Sequence, residues 1–265
     1  MPYAVNPLDG NDIYFDDGAT GGRSVLMLHG SALSRSIWRG LGYVKALEPE
    51  FNTIRMDLRG HGRSAKPHRA KDYEMELVLA DVLAVLDAAE VDSVHVLGYS
   101  FGARMGLQLA AAAPGRLRSL TLLGGTYRID PGALARLFFA DYRAALLTGG
   151  MEAFVAGMEA ESGSLDPATR LAFLSNDPLA LAAYFEYTES APAMSELLLR
   201  QLHVPTLLMA GTRDRPRLED SMRAAELMPD ARAIELPGRT HGGTLFPPRE
   251  ILDALLPFLR SVDAR

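Results

Sequence analysis

The sequence predicts an α/β fold: a mostly parallel central sheet, helices on both faces, and a helical insertion. Three observations carry this expectation. Short apolar runs alternate with stretches of helical spacing along most of the 265 residues, as they do when strands and helices take turns. Several of the runs are continuously apolar, which fits strands covered on both faces. Between Gly124 and Val204 the alternation gives way to helical spacing alone, and then it resumes.

Residues 3–8 and 12–16 read as an opening hairpin, with Asp9-Gly10 supplying the turn. Residues 24–28 (SVLML) form the next strand, a helical stretch follows near 37–47, and 52–56 is another strand. Across 74–89 the residues Met75, Val78, Val82, Val85, Leu86 and Ala89 fall on one helical face. Residues 93–97 (SVHVL) are a strand, followed by an alanine-rich helix at 103–113 that Pro114 and Gly115 end. Strands at 117–123, 206–210 and 231–236 and an amphipathic helix near 250–259 complete the alternating part. The interrupting stretch is broken at Gly149-Gly150, at Ser162-Gly163 and at Pro178. The expected organisation is a core of residues 1–124 and 205–265 with a helical cap at 125–204.

Composition narrows the function. The hydrophobic share of 48% and the charged share of 23% suit a globular chain with a sizeable core. A net charge of −6, from 27 basic and 33 acidic residues, argues against nucleic-acid and anionic-membrane partners, which need a basic face. The chain has no cysteine, so disulfides and thiolate chemistry are excluded. The first ten residues lack the pattern of a signal peptide, and no apolar run reaches the ~20 residues of a membrane span. A cytoplasmic protein is expected. No heptad pattern indicates an oligomeric state.

Gly98-Tyr99-Ser100-Phe101-Gly102 stands directly between a strand and a helix. A serine on such a turn is held in strained backbone geometry, and residues two positions either side must be very small. The helix N-terminus then points free N–H groups toward an oxygen that turns negative during attack. Ser100 is therefore the candidate nucleophile, although a serine at a helix start also serves as a plain cap. It needs a base to take its proton. Of six histidines, His95 alternates with apolar neighbours inside a strand, and His68 and His203 lie in polar or connecting segments. His241 sits in a glycine-rich loop after the last strand, where open α/β sheets place their chemistry. Asp214, just after the 206–210 strand, is the candidate acid that orients the histidine, with Asp130 as its rival. The chain order Ser, Asp, His follows. Two N–H donors for an oxyanion are expected from Phe101 and from Ser31, in the loop that opens with His29-Gly30. His29 is read as bracing that loop.

The segments LMLHGS, MDLRGHGRS, LGYSFG, AGTRD and PGRTHG occur in this order along nearly the whole chain. With them the sequence resembles the α/β-hydrolase family, in particular cap-bearing bacterial carboxylesterases and enol-lactone hydrolases. The resemblance implies the α/β-hydrolase fold with a helical cap and a Ser100–Asp214–His241 triad. It also makes residues 59–64 a structural loop, which leaves His61 outside the catalytic set. Ala103 replaces a second glycine that many relatives carry after Gly102, and the serine at position 100 argues against dehalogenases and epoxide hydrolases, which use aspartate.

The expected activity is cleavage of a carboxylic ester or lactone of a small to medium, partly apolar substrate through an acyl-enzyme on Ser100. Neither metal nor organic cofactor is expected. The same machinery serves C–C bond hydrolysis, acyl transfer or perhydrolysis, and some members of the fold are non-catalytic receptors. In the cap, Phe138, Phe139, Tyr142, Met151, Phe154, Met158, Phe173, Tyr184, Phe185 and Tyr187 either line the pocket or pack cap helices together. Arg128, Arg136, Arg143 and Arg170 leave room for a substrate carboxylate.

Overall fold

A computed structural model describes residues 2–18 and 22–265. Eight strands make one sheet: β1 (Tyr3–Val5), β2 (Asp12–Asp17), β3 (Ser24–Leu28), β4 (Asn52–Met56), β5 (Val94–Tyr99), β6 (Leu117–Leu123), β7 (Thr206–Gly211) and β8 (Ala231–Leu236). Their spatial order is β1-β2-β4-β3-β5-β6-β7-β8. β1 and β2 pair antiparallel with their neighbours, and every later pairing is parallel. The sheet is mostly parallel, as expected.

Side chains of a strand alternate between faces, so each central strand feeds two apolar layers. Leu26, Leu28, Val96, Leu120, Leu122 and Leu208 enter one layer, with the helices Met75–Ala88 and Phe101–Ala112. Val25, Met27, Leu97, Leu123, Leu207 and Met209 enter the other, against Trp38, Tyr43 and the C-terminal helix Arg249–Asp263. This double coverage is why the strands read as unbroken apolar runs.

Two elements differ from the sequence reading. The opening hairpin has a short first strand and a loop over 6–11, because the Asn6 side chain turns inward to donate to the Leu77 carbonyl and to Asp81. The stretch near 37–47 is two short helices, Ser36–Gly40 and Tyr43–Leu47, separated at Gly42 with φ +88°. The break expected at Gly149-Gly150 is present, since the stretch Tyr142–Ser162 is two helices meeting at a kink, with Gly150 at φ +65° and ψ −158°.

Between β6 and β7 the chain passes through the helices Ala133–Leu137, Tyr142–Ser162, Pro167–Leu174, Pro178–Ser190 and Glu196–Leu199, with no strand among the described residues. Asp166, Asp177 and Ser195 cap the last three through their side chains. No helix among the described residues is long and apolar enough to cross a membrane.

Candidate active site

β5 delivers Ser100 at the sharp turn into the Phe101–Ala112 helix, with φ +54° and ψ −112°. A non-glycine residue there costs about 1–3 kcal/mol, so the surroundings must hold it. They do. The Ser100 N–H donates to the Leu123 carbonyl at 2.8 Å, and the Ser100 carbonyl accepts from the N–H groups of Ala103 and Arg104. A Cβ on Gly98 would lie 2.5 Å from the Gly102 carbonyl oxygen, and one on Gly102 would lie 2.2 Å from that of Leu28. Only glycine fits either place.

His241 and Asp214 arrive from the loops after β8 and β7. Those loops are pressed together, since a Cβ on Gly211 would lie 2.0 Å from the Arg239 carbonyl oxygen. The imidazole Nε2 is 3.0 Å from Ser100 Oγ and its Nδ1 is 2.7 Å from Asp214 Oδ2. A carboxylate only accepts, so Nδ1 carries the ring proton and donates it to Asp214. Nε2 is then the acceptor, and the Ser100 hydroxyl donates to it. Arg217 Nη1 donates to the other oxygen, Asp214 Oδ1, at 3.0 Å. The ring is stacked on Tyr99, with centroids 5.2 Å apart. Gly124, at φ +57°, leaves the space beside it, because a Cβ there would meet Nδ1 at 3.2 Å.

Burial pushes the His241 pKa below its ordinary value, and Arg217 adds to this, against the opposing pull of Asp214. For Asp214 burial favours the neutral acid, but His241 and Arg217 outweigh it and hold the pKa below the carboxylate range. The arrangement is a neutral base beside an ionised acid, as proton abstraction from a serine requires.

No rival group bonds to Ser100 or His241 among the described residues. Asp130 is exposed and faces Arg128 at 3.9 Å. His95 is buried between Ser119 and Asp263. His68 meets Asp177 at the surface, and His203 is exposed.

His29 does brace the loop after β3. Its Nε2 accepts from the Leu58 N–H at 3.0 Å and its Nδ1 donates to the Gly30 carbonyl at 2.8 Å. His61 does the same for the next turn, accepting from Ala32 N–H at 3.1 Å and donating to the Arg59 carbonyl at 3.0 Å. The loop passes so close to the nucleophile that a Cβ on Gly30 would lie 3.1 Å from Ser100 Cβ. The N–H groups of Ser31 and Phe101 bond to no acceptor among the described residues. The Ser31 hydroxyl is 2.6 Å from that of Tyr184.

Ser100 and His241 border a pocket of about 300 Å³. Of the aromatic and methionine candidates, Tyr184 alone lines it. Phe138, Tyr142, Phe154, Phe173 and Phe185 pack against one another at centroid distances of 5.1–6.4 Å, filling the interior between helices. The apolar lining comes from Ile129, Ala133, Leu134 and Leu137. Arg143 pairs with Glu186 and Arg170 with Glu152, so neither serves the pocket, whereas Arg128 and Arg136 do line it. The sequence reading missed Arg104, Arg213 and Arg217. Arg104 had a usable signal, because it stands in the first turn of the helix that follows Ser100.

A family model described as the alpha/beta hydrolase fold matches residues 23–177. A relative named as a putative carbamate hydrolase RutD, from Azorhizobium caulinodans, is 32% identical over 99% of this chain and all of its own length. The enol-lactonase of Burkholderia xenovorans LB400 superposes with a TM-score of 0.82 at 22% identity, covering 98% of this chain and 100% of its own. The esterase RhEst1 of Rhodococcus sp. ECU1013 does so with 0.81 at 27% identity, covering 99% of this chain and 100% of its own.

Proposed function

The chain belongs to the α/β-hydrolase family, and from that premise we propose that it is a serine hydrolase that cleaves a carboxylic ester or lactone through an acyl-enzyme on Ser100. The observation that carries the reading is the continuous relay of Ser100 Oγ, His241 Nε2, His241 Nδ1 and Asp214 Oδ2, with steps of 3.0 and 2.7 Å. His241 takes the Ser100 proton as Oγ attacks the carbonyl carbon. The N–H groups of Phe101 and Ser31 receive the oxyanion, His241 passes the proton to the leaving alkoxide, and the acyl-enzyme forms. Water, deprotonated by the same histidine, then attacks the acyl carbon, and the acid leaves as Oγ regains its proton. Asp214 fixes the tautomer and stabilises the imidazolium at each step.

The helical segment 125–204 acts in this reading as a cap on a core of 1–124 and 205–265, supplying Leu134, Leu137 and Tyr184 to the pocket. A cavity of about 300 Å³ suits a small to medium acyl or ring group. A carbamate, the substrate class in the name of the Azorhizobium relative, offers the same carbonyl and belongs beside esters and lactones in an assay panel.

The test is fluorophosphonate labelling combined with turnover of short ethyl esters. Ser100 should label rapidly, and Ser100→Ala should lose several powers of ten in kcat, leaving a remnant from the oxyanion site. Near-normal hydrolysis by the alanine variant refutes the proposal.

A further inference from the structure

The helical segment 125–204 reaches the loop after β3 through the side chain of Tyr184. This residue, on the helix Pro178–Ser190, is 1% exposed, and its hydroxyl is 2.6 Å from Ser31 Oγ. Neither the N–H nor the carbonyl of Ser31 is hydrogen-bonded among the described residues, so the contact with Tyr184 is the one hydrogen bond that Ser31 makes among them. The next residue, Ala32, stands at φ +59°, a strained conformation for a side chain other than glycine that persists only where neighbours hold it. His61 Nε2 accepts the Ala32 N–H at 3.1 Å, and Asn176 Nδ2 donates to the Ala32 carbonyl at 2.9 Å. Of the side chains that bond to Ser31 and Ala32, two therefore belong to the helical segment and one to the core.

The Tyr184 ring reaches the other residue of the pair. It meets the Phe101 ring edge-on at a centroid distance of 4.9 Å and the His61 ring edge-on at 5.2 Å. Tyr73 and Phe185 stand against it at 5.8 and 5.2 Å. Enclosed in this way, the ring fixes where its hydroxyl points. Packing alone would be served by phenylalanine, the residue at position 185. A buried hydroxyl is costly unless it is bonded, and this one is bonded to Ser31.

One side chain thus touches Ser31, Phe101 and His61. The first two carry the N–H groups assigned to the oxyanion, and they come from loops after different strands, β3 and β5. The strand ladder ends before either residue, so their separation depends on what packs against both.

We propose, resting on the serine-hydrolase reading, that Tyr184 is a positioning residue for the oxyanion donors: its hydroxyl anchors Ser31 and its ring backs Phe101, so that both N–H groups keep the spacing the tetrahedral oxyanion needs. The effect falls on the transition state, because donors aimed at a developing charge add little to the binding of a neutral carbonyl. Tyr184 makes no hydrogen bond to Ser100 or His241, so the proton relay is left as it is. The helical segment then does more than roof the pocket, since it sets part of the catalytic geometry.

The experiment follows hydrolysis of a neutral ethyl ester. Tyr184→Phe removes the hydroxyl and keeps the ring. It should lower kcat by on the order of 10- to 100-fold, short of the loss of a whole donor, with KM within about threefold of wild type. Ser31→Ala removes the same bond from its other end and should lose a similar amount. The double variant should fall within about threefold of the worse single one, because both changes break one contact. A trifluoromethyl ketone of matched acyl chain supplies an independent reading: Ser100 Oγ adds to its carbonyl carbon, and the carbonyl oxygen becomes the oxyanion. Its inhibition constant should rise in Tyr184→Phe by the factor that kcat/KM falls.

A kcat for Tyr184→Phe within about threefold of wild type overturns the proposal. So does a loss carried by KM, which makes the hydroxyl a substrate contact, and so does a double variant that loses the product of the two single losses. If Tyr184→Phe does not fold, Ser31→Ala decides alone through the same kcat and ketone readings. Fluorophosphonate labelling of wild-type Ser100 tests the serine-hydrolase reading separately. A wild type that labels and turns over beside an unimpaired Tyr184→Phe sinks the positioning role alone, and one that neither labels nor turns over sinks both. Where the wild type labels without turning over the ester, the labelling rate constant, which draws on the same donors, takes the place of kcat.

Discussion

Replacing Asp214 by asparagine keeps the shape of the acid and changes one atom, and the structure says which way the new side chain turns. In the native site Oδ2 accepts from His241 Nδ1 at 2.7 Å and Oδ1 accepts from Arg217 Nη1 at 3.0 Å. The carboxamide has one acceptor and one donor for two donors. Arg217 is always charged and cannot accept, so the amide oxygen turns to it and the NH2 faces the imidazole. Nδ1 must then be the bare nitrogen, and the ring proton moves to Nε2, the atom facing Ser100 Oγ at 3.0 Å. A donor now meets the hydroxyl whose proton it should accept. Loss of general-base catalysis removes about 10²–10⁴ in rate, and tautomer inversion in a triad lies near the upper end, so Asp214→Asn should lower kcat by roughly 10³–10⁴, or about 4–5 kcal/mol. The orientation argument adds a second outcome. In Asp214→Asn with Arg217→Gln the amide at 217 can accept or donate, the oxygen at 214 is free to face Nδ1, and at least tenfold of the activity should return. Both are read as initial rates on a neutral ethyl ester, with circular dichroism to confirm folding. A single variant within tenfold of wild type refutes Asp214 as the orienting acid, and a double variant no better than the single refutes the turning of the amide.

Two further outcomes follow from the same coordinates. Burial foremost, then Arg217, lowers the His241 pKa against the pull of Asp214, and the base works only when neutral. The kcat/KM of a neutral ester should therefore rise with pH through a limb centred below 6.5 and be flat above it, and a midpoint above 6.5 in the pH profile contradicts this. Removing Asp81, which holds Arg59 through two 2.7 Å contacts with both side chains 1% exposed, leaves a buried guanidinium short of its main partner. Asp81→Ala should cost about 3–5 kcal/mol and lower Tm by roughly 6–20 °C by calorimetry, with kcat unchanged where the protein is folded, and a shift under about 2 °C sinks that account.

The strands and the turn that carries Ser100 were legible because their signals are local. An apolar run of five residues between polar ones has few alternatives, and Gly98 and Gly102 are required by contacts under 3 Å around one turn. Ser100, Asp214 and His241 could be chosen because each stands at the carboxyl end of a parallel strand, and the sheet order brings β5, β6, β7 and β8 side by side. The cap was less legible. Helical spacing shows that Phe138, Phe154 and Phe185 share apolar faces, but not what those faces meet, and they meet one another. Gly42 illustrates a second limit, since at φ +88° it divides a stretch that helical spacing reads as continuous. Arg104 was passed over because an alanine-rich helix draws attention to its buried face, and the charge on that face is significant only once the pocket is known.

The three histidines around the site show how one residue type serves two purposes. His29 and His61 each donate through Nδ1 to a carbonyl and accept a backbone N–H through Nε2, so each must remain neutral to keep the Gly30–Ala32 turn in place. Burial secures this. It lowers the His29 pKa against the charge of Asp57, and it drives that of His61 down to about 3. His241 is less deeply buried, and its Nδ1 proton goes to a carboxylate instead of a carbonyl, which in the proposed mechanism would stabilise the imidazolium formed as Ser100 gives up its proton. The partner on Nδ1 therefore distinguishes His241, the proposed base, from the two bracing histidines. On the proposed mechanism, the loop carrying the Ser31 N–H should keep its shape while His241 titrates, and the acid limb should belong to the one proton of His241.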